Sequence, residues 1–198
     1  MKKGIAASKG YAIGTVFIQE HEEIIISDAK VSDIAAEKEK LSKALAQSKE
    51  QLEAIKEKTA NEIGEHEAQV FEAHLMLLDD VEFTGQMEMT IENDQLNAMK
   101  AVQNVTDTFV MIFDSMDDPY MRERAADIKD VSKRIIANLA GKGGNGMENV
   151  GANTVVVAHD LTPSDTAQLD RSKVIGFLTN IGGRTSHSAI MARTLEIP

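Results

Sequence analysis

The hydrophobic pattern of this chain changes period twice, because strand-like runs at both ends flank roughly a hundred residues of helical spacing. Residues 14–18 and 154–158 are short apolar runs typical of strands. Between them the apolar residues recur with the spacing of a helical bundle, beginning with Ile34, Leu41, Leu45, Leu52 and Ile55. The simplest fold is an α/β domain over residues 1–32 and 144–198, interrupted by an inserted all-α helical bundle over residues 33–143.

Local signals divide the central segment into helices. A second helix is expected from about Glu65 and is expected to falter at Asp79-Asp80; its predicted core stripe is Val70, Phe71, Leu75 and Leu78. A third helix is predicted over residues 97–116; its predicted buried residues are Val102, Val105, Phe109, Ile112 and Phe113. Asp118-Pro119 is a helix start signal, and Gly141 ends that fourth helix.

The C-terminal part alternates strand, helix, strand and helix. Apolar runs at 154–158 and 174–178 predict two buried strands, and Thr162-Pro163 opens a short helix between them. A further helix is expected from about Ser186. This order implies a parallel-rich sheet with right-handed crossovers.

Composition narrows the classes of function. The chain has no Cys, which excludes disulfides and thiol chemistry and is compatible with the cytoplasm, the expected location. Its formal charge of −11 argues against a nucleic-acid partner and favours a basic one. No run approaches the ~20 apolar residues of a membrane span. None of the five His has the spacing of a metal site.

Residues 182–193 read Gly-Gly-Arg-Thr-Ser-His-Ser-Ala-Ile-Met-Ala-Arg and place His187 where a turn becomes a helix. The glycine pair allows positive φ and close backbone approach, and the N–H groups of a first helical turn bind anions. The helix dipole disfavours imidazolium by ~0.3–1 kcal/mol, which keeps the nucleophilic neutral form. These features suit a phosphocarrier histidine. The alternatives are a helix cap or a buried, hydrogen-bonded histidine.

The segment from Thr59 to Met99 contains no Lys or Arg. Its acids are Glu62, Glu65, Glu67, Glu72, Asp79, Asp80, Glu82, Glu88, Glu92 and Asp94. Such a segment is either a solvated face or a docking surface that attracts a basic partner. Met76 and Leu77 border the core stripe of the second helix, and Met is common on surfaces that accommodate a partner.

The run at 182–193 closely resembles the phosphohistidine signature of enzyme I of the bacterial sugar phosphotransferase system, a phosphoenolpyruvate–protein phosphotransferase family. Residues 160–169, 123–131 and 4–8 resemble the same family, so the resemblance covers the whole chain. It implies a swivelling phosphohistidine domain interrupted by a helical domain that binds the histidine phosphocarrier HPr. Pyruvate phosphate dikinases and phosphoenolpyruvate synthases share a looser signature but lack the acidic helical insert.

By this resemblance, His187 Nε2 accepts phosphoryl from phosphoenolpyruvate and passes it to a histidine of HPr. Thr166 matches the family threonine that bonds the active imidazole, and it is expected to fix the tautomer that leaves Nε2 unprotonated; the alternative is a hydroxyl bonded to its own backbone. Arg184 is either a phosphate clamp, since a guanidinium offers paired donors, or an exposed turn residue. Arg193 is expected to be structural, because it lies nearly on the opposite side of the helix.

The resemblance also implies that HPr docks on the second helix and the turn after it. The expected contacts are Glu65, Glu72, Met76, Leu77, Asp80 and Glu82, with Arg124 nearby on the last helix of the bundle. His74 either takes part in this contact or packs in the core. The pair His66-Glu67 lacks the basic residue found in some family members.

Phosphoenolpyruvate and Mg²⁺ are expected to bind a domain beyond Pro198, and no cofactor or metal is expected within these residues. The chain is interpreted as an N-terminal fragment that exchanges phosphoryl with HPr but does not use phosphoenolpyruvate alone. We expect no membrane insertion, a monomeric fragment and a homodimeric full-length protein. One function of another class stays open: a non-catalytic interaction module whose Gly-Gly-Arg loop binds an anion passively.

Overall fold

The computed structural model describes residues 4–19, 24–143, 150–184 and 186–198. The chain divides into two compact units. The first, called the sheet unit here, comprises Met1–Glu22, Lys58–Ala68 and Gly144–Pro198. The second, called the helical unit, comprises Glu23–Glu57 and Gln69–Gly143.

The helical unit is built from five helices. Their bounds are α1 Ile34–Glu62, α2 Glu65–Asp79, α3 Val81–Asp94, α4 Ala98–Asp114 and α5 Pro119–Leu139. Residues 58–68, at the junction of α1 and α2, cluster with the sheet unit. The fully buried side chains of the helical unit include Leu41, Leu52, Phe71, Phe83, Met87, Ile91, Val102, Ile128 and Ile135. Aliphatic packing dominates this core, as the low aromatic content of 4% requires.

The predicted break at Asp79-Asp80 is a helix cap between two consecutive helices. Asp80 has extended backbone (φ −74°, ψ 113°), and its side chain accepts a hydrogen bond from the Glu82 N–H at 2.8 Å. This N-cap starts α3, a helix that the sequence pattern does not predict. Gly85, Thr84 and Thr90 within α3 all have low helix propensity, so burial of Phe83, Met87 and Ile91 must stabilise it.

The predicted burial of α4 is correct for its first half and wrong at Ile112. Val102 and Val105 are buried, whereas Ile112 is 47% exposed and Phe109 and Phe113 are half-buried. Phe109 contacts Phe83 of α3 edge-to-face, with ring centroids 5.3 Å apart. The three-and-four spacing identifies one stripe of the helix, but the stripe is buried only where a neighbouring element covers it.

A buried carboxylate joins the beginnings of α1 and α4. Glu37 Oε2 accepts a hydrogen bond from the Ala98 N–H at 2.8 Å, and Oε1 accepts one from Lys40 Nζ at 2.6 Å. Burial alone raises the pKa of Glu37, but the hydrogen bonds from Lys40 and Ala98 outweigh it and hold the pKa below its ordinary value. The ionised form of Glu37 is therefore the one that stabilises the fold.

Over its described residues, the sheet unit contains three strands, β1 Thr15–Ile18, β2 Thr154–Ala158 and β3 Val174–Thr179, in the spatial order β1-β2-β3. Both strand pairs are parallel, which confirms the predicted parallel sheet. Its first strand comes from the N-terminal part of the chain and its other two from the C-terminal part. A core forms on one face from Val150, Val156, Ala158, Leu161, Leu169 and Val174, with Phe17 and Phe177 packed against it.

Two short helices complete the sheet unit, α6 Pro163–Ala167 and α7 His187–Thr194. Thr162 caps α6 with a capping box, in which its side chain accepts from the Asp165 N–H and the Asp165 side chain accepts from the Thr162 N–H. This reciprocal cap explains why a five-residue helix forms at the position that Thr162-Pro163 predicts. Over the described part of the chain, no helix is both long and apolar enough to cross a membrane.

Candidate functional site

The loops that follow β2 and β3 meet at the carboxyl edge of the parallel sheet. The backbone N–H groups of Asn180 and Ile181 both donate to the carbonyl oxygen of His159, each at 3.0 Å. The Asn180 side chain also lies 3.3 Å from Nδ1 of His159, joining amide Nδ2 to the ring. Ligands of parallel α/β sheets bind at this edge. The two loops thus form one continuous rim, from which α7 begins.

The turn before α7 requires glycine at its first position. Gly182 has φ +114°, a backbone conformation that L side chains rarely adopt. A Cβ at this position would lie 3.3 Å from Ser186 Oγ, whereas a Cβ on Gly183 would meet no atom within 4 Å. The first glycine of the pair therefore shapes the backbone, and the second leaves open space beside the turn.

Ser186 is the N-cap of α7. Its hydroxyl donates to the Gly183 carbonyl at 2.9 Å, and its oxygen accepts from the Ala189 N–H at 3.3 Å. The hydroxyl oxygen of Ser188, a buried residue, lies 3.1 Å from the hydroxyl oxygen of Ser186. One of the amides of the first helical turn is therefore used by the cap. The turn and the helix start are held together by side chains of the motif itself.

His187 is the first residue of α7, at the positive end of the helix dipole. Its side chain is half-buried, and the Nε2 atom exposes less than 1 Å² of surface. The position at a turn-to-helix junction is the one the motif predicts. The burial of Nε2 adds a condition that the sequence does not contain: a reaction at this atom requires the ring to turn or its neighbours to move.

Thr166 is buried in α6, a helix that packs against α7. Its hydroxyl oxygen lies 3.0 Å from the carbonyl oxygens of both Thr162 and Pro163, so the hydroxyl donates within its own helix. A hydroxyl that donates to the backbone can still accept a hydrogen bond from a ring N–H. The role of Thr166 toward His187 stays a prediction.

The two arginines of the motif are placed differently. Arg193 Nη1 donates to the carbonyl oxygens of Arg184 at 2.8 Å and of Ala7 at 3.0 Å. Arg193 is thus structural, as its place on the helix predicts. Arg184 is exposed, and its backbone carbonyl is the acceptor in this contact. The exposed side chain of Arg184 is compatible with both of its predicted roles, phosphate clamp or turn residue.

The predicted contact residues of the acidic segment differ in exposure and in their partners. Met76 is 70% exposed and Leu77 is half-buried, so the exposed apolar side chain predicted here is Met76. Glu72 pairs with Lys56 at 2.8 Å, and Glu82 accepts from Gln86 at 2.7 Å. These residues and the Asp80 cap belong to the helical unit, along with Arg124, whereas the exposed Glu65 belongs to the sheet unit.

His74 is completely buried, so of its two sequence readings the structure supports packing in the core. Its Nε2 lies 3.2 Å from Asp127 Oδ1, and its Nδ1 lies 3.9 Å from Asp130 Oδ2. Asp127 Oδ2 in turn lies 3.8 Å from Arg124 Nη1. One sequence signal indicates this burial, since His74 follows Phe71 and precedes Leu78 at helical spacing. The two aspartates could not be identified from it.

Among the described residues, no group of three or more His, Cys, Asp or Glu side chains is arranged to hold a metal ion.

Two family models match this chain. The model described as PEP-utilising enzyme, N-terminal, matches residues 3–124, and the model described as PEP-utilising enzyme, mobile domain, matches residues 150–198. Among curated proteins, a phosphoenolpyruvate-protein phosphotransferase of Enterococcus faecalis is 52% identical over 100% of this chain and 35% of its own length. One of Listeria monocytogenes is 50% identical over 99% of this chain and 34% of its own. The chain therefore spans about a third of the length of these relatives.

Two solved structures resemble the fold. The solution structure of the enzyme I protein nEIt has a TM-score of 0.84 and 45% identity, over 100% of this chain and 81% of that chain. An N-terminal domain of Enzyme 1 – Nitrogen has a TM-score of 0.71 over 98% of this chain and 80% of that chain; at 24% identity it supports the fold alone. A small parallel sheet combined with a helical domain is thus shared with enzyme I N-terminal domains.

Proposed function

Because this chain belongs to the PEP-utilising enzyme family and its relatives are phosphoenolpyruvate–protein phosphotransferases, we propose that His187 is its phosphocarrier residue. The observation that carries the proposal is the position of His187 as the first residue of α7, after a glycine turn at the carboxyl edge of a parallel sheet. A helix start stabilises the negative charge of a phosphohistidine, and the same dipole favours the neutral, nucleophilic ring.

The proposed chemistry is two phosphoryl transfers in sequence. In the first, Nε2 of His187 attacks the phosphorus of phosphoenolpyruvate; the N–P bond forms, the bond from phosphorus to the enol oxygen breaks, and enolpyruvate leaves. In the second, a ring nitrogen of the HPr histidine attacks the same phosphorus, and the bond to His187 breaks. Such transfers need positioning and charge neutralisation more than covalent help from the protein.

Nε2 must become accessible before either transfer. Because this atom is buried, we propose that the reactive state has the His187 ring turned toward the rim between the two loops. Thr166 is proposed to accept a hydrogen bond from the protonated ring nitrogen, which selects the tautomer that leaves Nε2 free of a proton. The exposed Arg184 is proposed to bind phosphoryl oxygens, since its side chain lies on the loop that leads into α7.

The helical unit is proposed to bind HPr. Exposed Met76 offers an apolar contact, and the exposed acidic side chains Glu72, Asp80 and Glu82 attract a basic protein. Glu65, Leu77 and Arg124 complete the proposed contact set. In this proposal residues 33–143 form the HPr-binding domain, inserted into a phosphohistidine domain made of residues 1–32 and 144–198.

Phosphoenolpyruvate and Mg²⁺ are proposed to be bound by the two thirds of the relatives' length that this chain does not span. The chain alone is then a transferase that exchanges phosphoryl with HPr and does not use phosphoenolpyruvate by itself. We propose that it acts in the cytoplasm in sugar uptake, as a monomer, with dimerisation of the full-length protein through the remaining part.

The proposal is tested by incubating the chain with HPr that is already phosphorylated on its histidine. We expect an acid-labile phosphate on the wild-type chain that returns to unphosphorylated HPr and is absent from His187→Ala. His159→Ala is the matched control, because His159 is an exposed histidine on the neighbouring loop of the same rim. A wild-type chain that acquires no phosphate, or a His187→Ala chain that still acquires it, would overturn the proposal.

A further inference from the structure

Two contacts join three residues, His74, Asp127 and Arg124, from the buried interior of the helical unit to its surface. We propose that His74 is a positioning residue for phosphoryl exchange with HPr: through Asp127 it holds the guanidinium of Arg124 in place on the docking surface. This inference rests on the proposed function, which assigns Arg124 to the HPr contact. It adds a role for a histidine that touches neither the partner nor the phosphoryl group.

The inner residue of this series of contacts is His74 on α2. Its side chain is fully buried, and Phe71 packs edge-on against the ring at a centroid distance of 5.7 Å. The ring faces two carboxylates from successive turns of α5, with Nε2 3.2 Å from Asp127 Oδ1 and Nδ1 3.9 Å from Asp130 Oδ2. Packing by Phe71 fixes the plane of the ring, so the direction of its N–H toward Asp127 is fixed too.

The outer end is Arg124, one turn before Asp127 on α5. Its Nη1 lies 3.8 Å from Asp127 Oδ2, the oxygen that does not face His74. Side-chain exposure rises along this series of contacts, from 0% at His74 to 17% at Asp127 and 30% at Arg124. One carboxylate therefore uses its two oxygens on different partners, one in the interior and one at the surface.

This arrangement reduces the freedom of Arg124. An arginine side chain has many rotamers, and part of this conformational entropy is lost when the side chain binds a partner. A carboxylate held by a buried donor keeps the guanidinium near one position before the partner arrives. Without His74, Asp127 would lose its buried donor and turn toward solvent, and Arg124 would lose the carboxylate that holds it.

The positive charge of Arg124 explains why the position of its side chain matters. The other charged members of the proposed contact set are acids, which attract a basic protein but repel a phosphoryl group. HPr arrives carrying a phosphoryl group with nearly two negative charges, and a guanidinium fixed on the docking surface offsets the repulsion by these acids. A guanidinium that moves freely offsets it less, since charge stabilisation depends on preorganised position.

The test is a double-mutant cycle on the rate of phosphoryl transfer from phosphorylated HPr to the chain. We expect Arg124→Ala and His74→Leu each to slow transfer by about three- to tenfold, and the double variant to be no slower than either single one. His74→Gln should transfer faster than His74→Leu, because its amide N–H₂ can still donate to Asp127.

Ser132→Ala is the matched control. Its hydroxyl bonds Thr106 at 2.6 Å within the same helical unit, and both residues are buried, but neither belongs to the chain of contacts. A general loss of stability would therefore slow Ser132→Ala as much as His74→Leu. Thermal unfolding of each variant identifies any that do not fold. If His74→Leu does not fold, Asp127→Asn takes its place in the cycle with Arg124→Ala.

The possible failures are distinct. If the two rate losses multiply in the double variant, or if folded His74→Leu transfers at the wild-type rate, the positioning role is wrong while the docking role of Arg124 stands. If Arg124→Ala transfers at the wild-type rate, both roles are wrong while the phosphocarrier role of His187 stands. If wild-type chain takes no phosphate from HPr, the proposed function itself is wrong.

Discussion

Arg193 Nη1 donates to the carbonyl oxygen of Arg184 at 2.8 Å, and so ties the last turn of α7 to the loop that precedes His187. The same nitrogen donates to Ala7, which brings the N-terminal segment into the contact. Two arginines of one motif thus have separate functions, one holding backbone and the other extending an exposed side chain.

Replacing Arg193 should therefore lower the stability of the chain, whereas replacing Arg184 should lower the rate of phosphoryl transfer. We expect Arg193→Ala to destabilise the chain by about 1 kcal/mol, since it removes two hydrogen bonds from a charged donor to backbone at an exposed position. Arg184→Ala should leave stability unchanged and slow transfer from phosphorylated HPr. Chemical unfolding and transfer rates measured on both variants check this, and equal stability losses would contradict the division.

The two glycines of the motif offer a second matched pair. Gly182→Ala should destabilise the chain by about 1–2 kcal/mol, because a Cβ is strained at φ +114° and crowds Ser186 Oγ. Gly183→Ala should change stability by less than about 0.5 kcal/mol, since its Cβ meets open space. Urea unfolding of both variants measures the difference. A destabilised Gly183→Ala with an unaffected Gly182→Ala would be the contrary outcome.

The acidic surface is tested through the salt dependence of association. Reversing Glu65 and Glu72 to Lys should slow HPr association and flatten its dependence on ionic strength, since steering by exposed charges is screened by salt. The control reverses Glu39 and Asp107, exposed acids outside the proposed contact set, with the same change in net charge. Stopped-flow measurements of the HPr association rate at several salt concentrations test this prediction. Equal effects of the two double variants would remove the docking role of the acidic segment.

The lowered pKa of Glu37 predicts that this residue stabilises the fold at neutral pH and that acid removes this stabilisation. Its pKa in the folded chain lies below the ordinary 4.5, so the unfolded chain binds the proton more tightly. The stabilisation is therefore present above about pH 4.5 and is lost as the pH falls through the folded-state pKa. The difference in unfolding free energy between wild type and Glu37→Gln should shrink from pH 6 to about pH 3. Glu53→Gln, at an exposed position on α1, is the control; a difference that grows in acid would contradict the assignment.

Much of the fold could be predicted because several boundaries are marked by local chemistry. Pro119, Thr162-Pro163 and Ser186 each start a helix where the sequence places one, and the apolar runs at 154–158 and 174–178 coincide with β2 and β3. These features depend on a few neighbouring residues. Caps and short buried strands are therefore readable without the tertiary structure.

The remaining features depend on contacts that are distant in sequence. Helix α3 has weak local propensity and is stabilised by burial, and Ile112 is exposed although its spacing indicates the core. The position of His187 follows from its motif, but the burial of its Nε2 depends on how α7 packs in the sheet unit. The contact of His74 with Asp127 joins residues on two helices and has no local sequence signal.

The site of phosphorylation is the most direct measurement of the proposed function. Nitrogen–phosphorus correlated NMR on the chain, after incubation with phosphorylated HPr, identifies both the residue and the ring nitrogen that carry the phosphoryl group. We predict a single phosphohistidine, with phosphorus bonded to Nε2 of His187. Phosphorus on His159, on Nδ1 of His187, or on no histidine of the chain would contradict it.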